Sequence, residues 1–247
     1  MPRPMGVDYS GLAATYDRTR SSPREVNEFW LPAVGLDAGV TSSSRLLDVG
    51  CGTGRLAVPL SLRCRVVGVD VSREMIGVAR AKGSPATFIL GEAGRLPFRD
   101  RTFDTALAVM VLHLVQDVRV AIHELARVAG RAVIATIDMA ARKKHAIDEA
   151  FPSFDAIDRA RFPPIPAIVE ACRAAGWTRV EVHGAHRRIE SSTSEFLDRV
   201  RSRYVSTLTL LPPGEFERGL AWLEEDLPRR GDRYAYDHTV TFVNASA

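Results

Sequence analysis

Three features of this 247-residue chain predict an α/β fold with a doubly wound, Rossmann-like parallel sheet. Leu46-Leu47-Asp48-Val49 is an apolar strand that runs directly into Gly50-Cys51-Gly52-Thr53-Gly54. A short helical run follows, and a second apolar strand, Val66-Val67-Gly68-Val69, ends in Asp70. Beyond it, strand and helix patterns keep alternating. That order builds a parallel sheet covered by helices, with a ligand crevice at the carboxyl ends of its strands.

Taken along the chain, Ser21-Ser22-Pro23-Arg24-Glu25 reads as a capped helix start, with Phe29, Trp30 and Val34 as its apolar face up to Gly35. Strand one spans 45–49 and its helix 56–62; strand two spans 66–69. Ser72 caps the next helix, which carries Met75, Ile76 and Ala79, and strand three spans 86–90. Residues 105–111 form an apolar run without polar alternation, as a strand covered on both faces should. Residues 118–128 have helical spacing and 131–137 form strand five. Pro163, Pro164 and Pro166 interrupt the chain before a helix over 167–175 closed by Gly176. Strands follow at 177–183 and 238–244. The stretch between them far exceeds a hairpin loop and holds two helical patterns. Phe196, Val200 and Tyr204 mark the first; Phe216, Leu220, Leu223 and Leu227 mark the second, which Pro228 is expected to end.

The glycine turn and the strand-end acid together describe a nucleoside site. Glycine reaches backbone angles closed to other residues and lets a ligand approach the main chain. Asp70 can accept hydrogen bonds from both hydroxyls of a ribose. A dinucleotide turn reads G-x-G-x-x-G, but here the spacing is G-x-G-x-G and Arg55 stands where the last glycine would be. No Gly-Lys-Ser/Thr follows, which excludes a triphosphate loop. Asp48 before the turn suits a cationic ligand better than a phosphate. S-adenosylmethionine, with a ribose, a sulfonium and an ammonium but no phosphate, fits best.

These residues resemble the class I S-adenosylmethionine-dependent methyltransferases, in particular the small-molecule group labelled type 11. The resemblance covers residues 9–138. It rests on Ala14-Thr15-Tyr16-Asp17, Leu47 to Gly54, Gly68 to Met75, Gly91-Glu92-Ala93, Leu96-Pro97-Phe98, Phe103-Asp104 and Val111-Leu112-His113. It implies a seven-stranded sheet whose last strand is antiparallel, so that 177–183 and 238–244 would pair. The expected organisation is an N-terminal helical arm (1–40), a cofactor-binding domain (41–190 and 233–247) and an inserted helical cap (191–232). The alternative is a helical pair that only covers the sheet edge.

By resemblance, Gly50, Gly52 and Gly54 face the methionine part of the cofactor, with Asp48 beneath, and Asp70 holds the ribose. Val71 is among the cofactor-binding residues, Met75 packs on adenine or in the core, Glu92 reaches the adenine amino group and the Ala93 amide meets a ring nitrogen. Glu92 departs from the aspartate common in relatives. Tyr16 folds over the methionine end, and Val109 and Met110 line the passage to the acceptor. His113 is the titratable group expected nearest the transferred methyl, as a proton acceptor, as a pocket wall or in an unconnected structural role. Methyl transfer itself needs alignment more than acid–base help. The products would be S-adenosylhomocysteine and a methylated small molecule, and no metal is expected.

Composition narrows the remaining classes. Net charge is +3, and the basic clusters Arg142-Lys143-Lys144, Arg187-Arg188 and Arg229-Arg230 are separated and lack interleaved aromatics, so no nucleic-acid groove is expected. Cys51, Cys64 and Cys172 are odd in number and unclustered, suggesting neither disulfides nor zinc. Cys51 near a helix start could favour a thiolate, although small residues are needed there anyway. No run approaches membrane-spanning length and the N-terminus lacks an apolar segment; the expected setting is cytoplasmic, without a membrane partner. Val111-Leu112-His113-Leu114 after strand four lacks a base-reading motif. The reading is therefore methyl transfer to O, C or N of a small acceptor. A non-catalytic cofactor-binding sensor or subunit, and a nicotinamide oxidoreductase, remain as competitors.

Overall fold

A computed structural model describes residues 16–17 and 25–247. Its centre is a seven-stranded sheet in the order β3-β2-β1-β4-β5-β7-β6. The strands are β1 (Arg45–Val49), β2 (Arg65–Asp70), β3 (Thr87–Leu90), β4 (Phe103–Val109), β5 (Ala129–Thr136), β6 (Arg179–Ser192) and β7 (Arg233–Ser246). The first five are mutually parallel, and β7 pairs antiparallel with both β5 and β6. The central strands are buried on both faces, which explains their unbroken apolar sequences.

Helices α1 (Leu31–Ala38), α2 (Ala57–Leu60) and α3 (Arg73–Ala81) cover one face, where Trp30, Val34, Ile76 and Phe242 share a core. On the other face, α4 (Val118–Val128) and α7 (Ile165–Ala174) bury Ile122, Leu125, Ile168 and Trp177. Helix starts are capped where the chain supplies acceptors. Ser72 Oγ accepts from the Met75 amide, and Asp117 accepts from the Arg119 and Val120 amides.

A third apolar cluster belongs to a helical layer of α5 (Ala146–Ala150), α6 (Phe154–Arg161), α8 (Thr193–Arg201) and α9 (Glu215–Arg230). Phe151, Phe196 and Leu223 are fully buried there, with Tyr234 and Tyr236 of β7 against them. Residues before α7 thus join those between β6 and β7.

Several boundaries differ from the sequence reading. The predicted helix start at 21–24 lies outside the described residues; α1 runs through Gly35 and stops at Gly39, which takes the left-handed conformation (φ +58°). α7 begins before Pro166, because proline in a first helical turn forfeits no hydrogen bond. Pro228 does not end α9. It sits in the last turn, where burial of Leu227 and ion pairs from Arg229 and Arg230 hold the helix together.

The largest difference lies in the hairpin. β6 and β7 are paired from Arg179↔Ser246 to Ser192↔Arg233, while β5 accompanies β7 only between Thr241 and Ser246. The ribbon therefore extends well past the sheet. Its outer part is polar and largely exposed, so it carries no apolar alternation to betray it.

Replacing Phe196 by alanine empties the centre of the helical layer, where its ring lies 4.4 Å from that of Tyr234. The expected loss is about 3–5 kcal/mol, read as a lowered urea midpoint.

Candidate active site

The turn after β1 is fixed by β2. The amides of Gly50 and Cys51 both donate to the Val69 carbonyl, at 2.8 and 3.0 Å. The Gly52 amide donates to Asp70 Oδ2 at 2.8 Å, and the Ser72 amide to Oδ1 at 2.9 Å. Both Asp70 oxygens are thus oriented from behind, and each keeps a further lone pair for a ligand. Gly50 has φ +71°, and a Cβ there would stand 2.3 Å from Val111 Cγ2. Only glycine fits.

These residues open onto a cavity of about 720 Å³ lined by Asp48, Gly50, Gly52, Asp70, Val71 and Met75 on one side. Glu92, Ala93, Val109, Met110 and His113 line it elsewhere. Val71 and Glu92 are exposed at the rim, whereas Met75 and Val109 are buried in the wall. Gly54 stands back from the cavity. Its φ is +78°, and Phe88 and Val58 occupy the space a Cβ would need, at 2.9 and 3.0 Å. Tyr16 lines the cavity too, while its neighbour Asp17 accepts from the Thr53 hydroxyl and pairs with Lys82 at 2.6 Å. The short N-terminal segment is thereby tied to the glycine turn.

Asp48 is only 3% exposed. Burial is the main cause that pushes its carboxyl from the usual 3.8 up to about 7; Asp70 adds to the shift, while Arg55 and the Ala57 amide oppose it. Burial likewise pushes the Cys51 thiol far up, with Asp48 and Asp70 reinforcing it. No reactive thiolate forms there. Cys64 and Cys172 are also buried and raised by desolvation.

A second cavity, of about 560 Å³, lies between the helical layer and the projecting β6–β7 ribbon. Tyr16, Arg55, Met110, His113 and Leu114 line both cavities. Met110 has φ +54°, a left-handed conformation uncommon for a side chain this large, and its amide donates to the Ala135 carbonyl at 2.8 Å. His113, in a short 3-10 turn, is buried and stacks on Phe162 with centroids 4.2 Å apart.

The sequence reading thus finds the first cavity and the junction but not the far wall of the second. His145 from the start of α5, Arg199 from α8, and Tyr236 and His238 from β7 converge there. No local spacing links these three elements to one another. Among the described residues no cluster of His, Cys, Asp or Glu could hold a metal, and no helix is long and apolar enough to cross a membrane.

A parallel sheet closed by an antiparallel hairpin, with a glycine turn and a strand-end carboxylate, is the arrangement expected of a methyltransferase of the adenosyl-cofactor class. Comparison with known proteins agrees. The methyltransferase domain family matches residues 47–134. A demethylmenaquinone methyltransferase of Streptomyces griseus is 28% identical over 204 residues, 72% of this chain and 88% of that one. An uncharacterized methyltransferase of Mycobacterium tuberculosis is 36% identical over 128 residues, 51% of this chain and 49% of its own length. The match therefore spans about half of that relative. Among solved structures, a protein of Anabaena variabilis described as an inferred antibiotic-pathway methyltransferase superposes with a TM-score of 0.75 at 18% identity. That superposition covers 94% of this chain and all of that one. These likenesses support a class I S-adenosylmethionine-dependent methyltransferase, and the similar proteins include a demethylmenaquinone methyltransferase.

Because Asp48 is protonated in the folded protein up to about pH 7, the unfolded chain ionises first as pH rises. The contribution of Asp48 to stability without ligand therefore falls between about pH 4 and 7, by at most roughly 1.4 kcal/mol per unit, and levels off above. Asp48→Asn should remove that contribution, so that in urea titrations the variant gains stability relative to the parent between pH 5 and 7.5. An identical slope in both proteins would mean that the carboxyl is ionised throughout.

Proposed function

We propose that this enzyme moves a methyl group from S-adenosylmethionine in the first cavity to a small organic acceptor in the second. The observation that carries the reading is the shared wall at Tyr16, Met110 and His113, where two cavities of suitable size adjoin. The chemistry supplied by the cofactor is an in-line displacement: the acceptor–carbon bond forms as the carbon–sulfur bond breaks, its electron pair remaining on sulfur.

The residues present fit that cofactor. Asp70, held by the Gly52 and Ser72 amides, is oriented to accept both ribose hydroxyls. Gly50 and Gly52 leave the backbone open to the methionine part, and Asp48 beneath is the counter-charge for its ammonium. A cation beside Asp48 favours its ionised form, so cofactor binding near pH 7 should release a proton. Met75 and Val71 border adenine, Glu92 and the Ala93 amide meet its edge, and Gly54 secures the turn by packing. Val109 and Met110 form the floor of the passage. His113, stacked on Phe162, serves as its wall. The helical layer of α5, α6, α8 and α9 acts as a cap that keeps water from the acceptor.

S-adenosylmethionine and S-adenosylhomocysteine should raise the melting temperature, and NAD should not. Asp70→Ala should weaken S-adenosylhomocysteine by about ten- to a hundredfold, the value of hydrogen bonds to a charged group. Stabilisation by NAD alone would overturn the reading. With an acceptor in hand, His113→Ala should raise KM and leave the pH profile of kcat unchanged; a lost pH dependence would make His113 a proton acceptor instead.

A further inference from the structure

The wall of the second cavity formed by β6, β7 and α8 is cationic and aromatic. Arg187 and His238 are register partners across the hairpin, so their side chains stand on one face of the ribbon. Tyr236, two residues away on β7, shares that face. It stacks on His145 with centroids 4.3 Å apart and planes 13° from parallel. From the last turn of α8, Arg199 lays its guanidinium over the Tyr204 ring, 4.5 Å from the centroid.

Three guanidiniums act electrostatically on His238, and two of them are already neutralised. Arg142 donates to both oxygens of Asp148, at 2.7 and 2.9 Å, with Asp155 at 3.4 Å. Arg187 is paired with Glu25 at 2.5 Å. Arg199 differs. Among the described residues, no carboxylate oxygen lies within 4.0 Å of it. A half-buried charge without a counterion forgoes hydration that a bound anion would replace.

The acids of this cavity do not fill that role. Asp237 is shared by Lys143 at 3.3 Å and Arg188 at 3.7 Å. Asp158 accepts from the Thr207 hydroxyl, lies 3.8 Å from Arg161, and is raised above the usual carboxylate range mainly by burial. Asp138, just beyond β5, accepts from the Ala140 amide at 2.9 Å. Burial first, then Arg187, His145, Arg142 and Arg199, pushes His238 down to about 3. At ordinary pH its imidazole is therefore neutral, with one N–H to donate.

We propose that the methyl acceptor is an organic anion whose carboxylate or phosphate group seats between Arg199 and His238 while its reactive atom reaches Met110 and His113. The planar guanidinium fork matches either oxyanion, and the rings of Tyr204, Tyr236 and His145 favour an aromatic or otherwise flat body beside it. The inference rests on the methyltransferase reading of the neighbouring cavity.

The test is calorimetric titration of the S-adenosylhomocysteine-saturated protein with benzoate, phenyl phosphate, neutral benzamide and cationic benzylamine. At least one anion should bind about tenfold tighter than benzamide, a difference of about 1.4 kcal/mol. Benzoate ahead of phenyl phosphate assigns the carboxylate class, and the reverse order assigns the phosphate class. Arg199→Gln should abolish the preference and Arg199→Lys should keep most of it, with S-adenosylhomocysteine affinity unchanged in both. Equal binding of benzamide or benzylamine, no anion binding, or a preference that survives Arg199→Gln would overturn the proposal. If S-adenosylhomocysteine itself gives no heat, the methyltransferase reading fails; anion preference on the protein alone then decides the subsite separately.

Discussion

The site depends on how the end of β2 holds the turn that follows β1. One carbonyl, that of Val69, receives two amides of the turn, and one carboxylate, that of Asp70, receives a third. Parallel pairing of β1 and β2, in register from Arg45↔Arg65 to Val49↔Val69, brings those groups together. The positive φ of Gly50 and the absence of a Cβ against Val111 let the chain make the bend. Because the carboxylate is aimed by backbone amides, little side-chain freedom remains to be lost when a ligand binds, which is the advantage of preorganisation.

The same constraint reaches the junction of the two cavities. Val111, which fills the space beside Gly50, directly follows Met110, and His113 lies two residues further on. β4 is locked between β1 and β5, and the Met110 amide is drawn to the Ala135 carbonyl in a strained conformation. Strain of this kind costs of order 1–3 kcal/mol and persists only where the surroundings enforce it. Here two buried strands enforce it, at the point where the proposed methyl passage runs.

How much was legible in the sequence follows from where the signals lie. The central strands β1, β4 and β5 are apolar runs buried on both faces, so they could be read directly, and so could Ser72 and the glycine turn, whose local chemistry fixes their conformation. The outer half of β6, from Ala185 to Ser192, is a largely polar ribbon supported by its partner strand alone, and no clear apolar period marks it. Gly54 looked like its two neighbours in the motif, yet its requirement comes from Val58, one helical turn on, and from Phe88, distant in sequence. His145, Arg199 and His238 become a group only through the hairpin extension and the packing of α8. The cofactor half of the site is thus written in contiguous segments. The acceptor half is written in tertiary contacts.

The most direct test is a crystal structure of the protein grown with S-adenosylhomocysteine. The account predicts the sugar hydroxyls on the two Asp70 oxygens, the amino group above Asp48, and the sulfur directed at the gap between Met110 and His113. A nucleoside bound elsewhere, or a sulfur turned away from the second cavity, would contradict it.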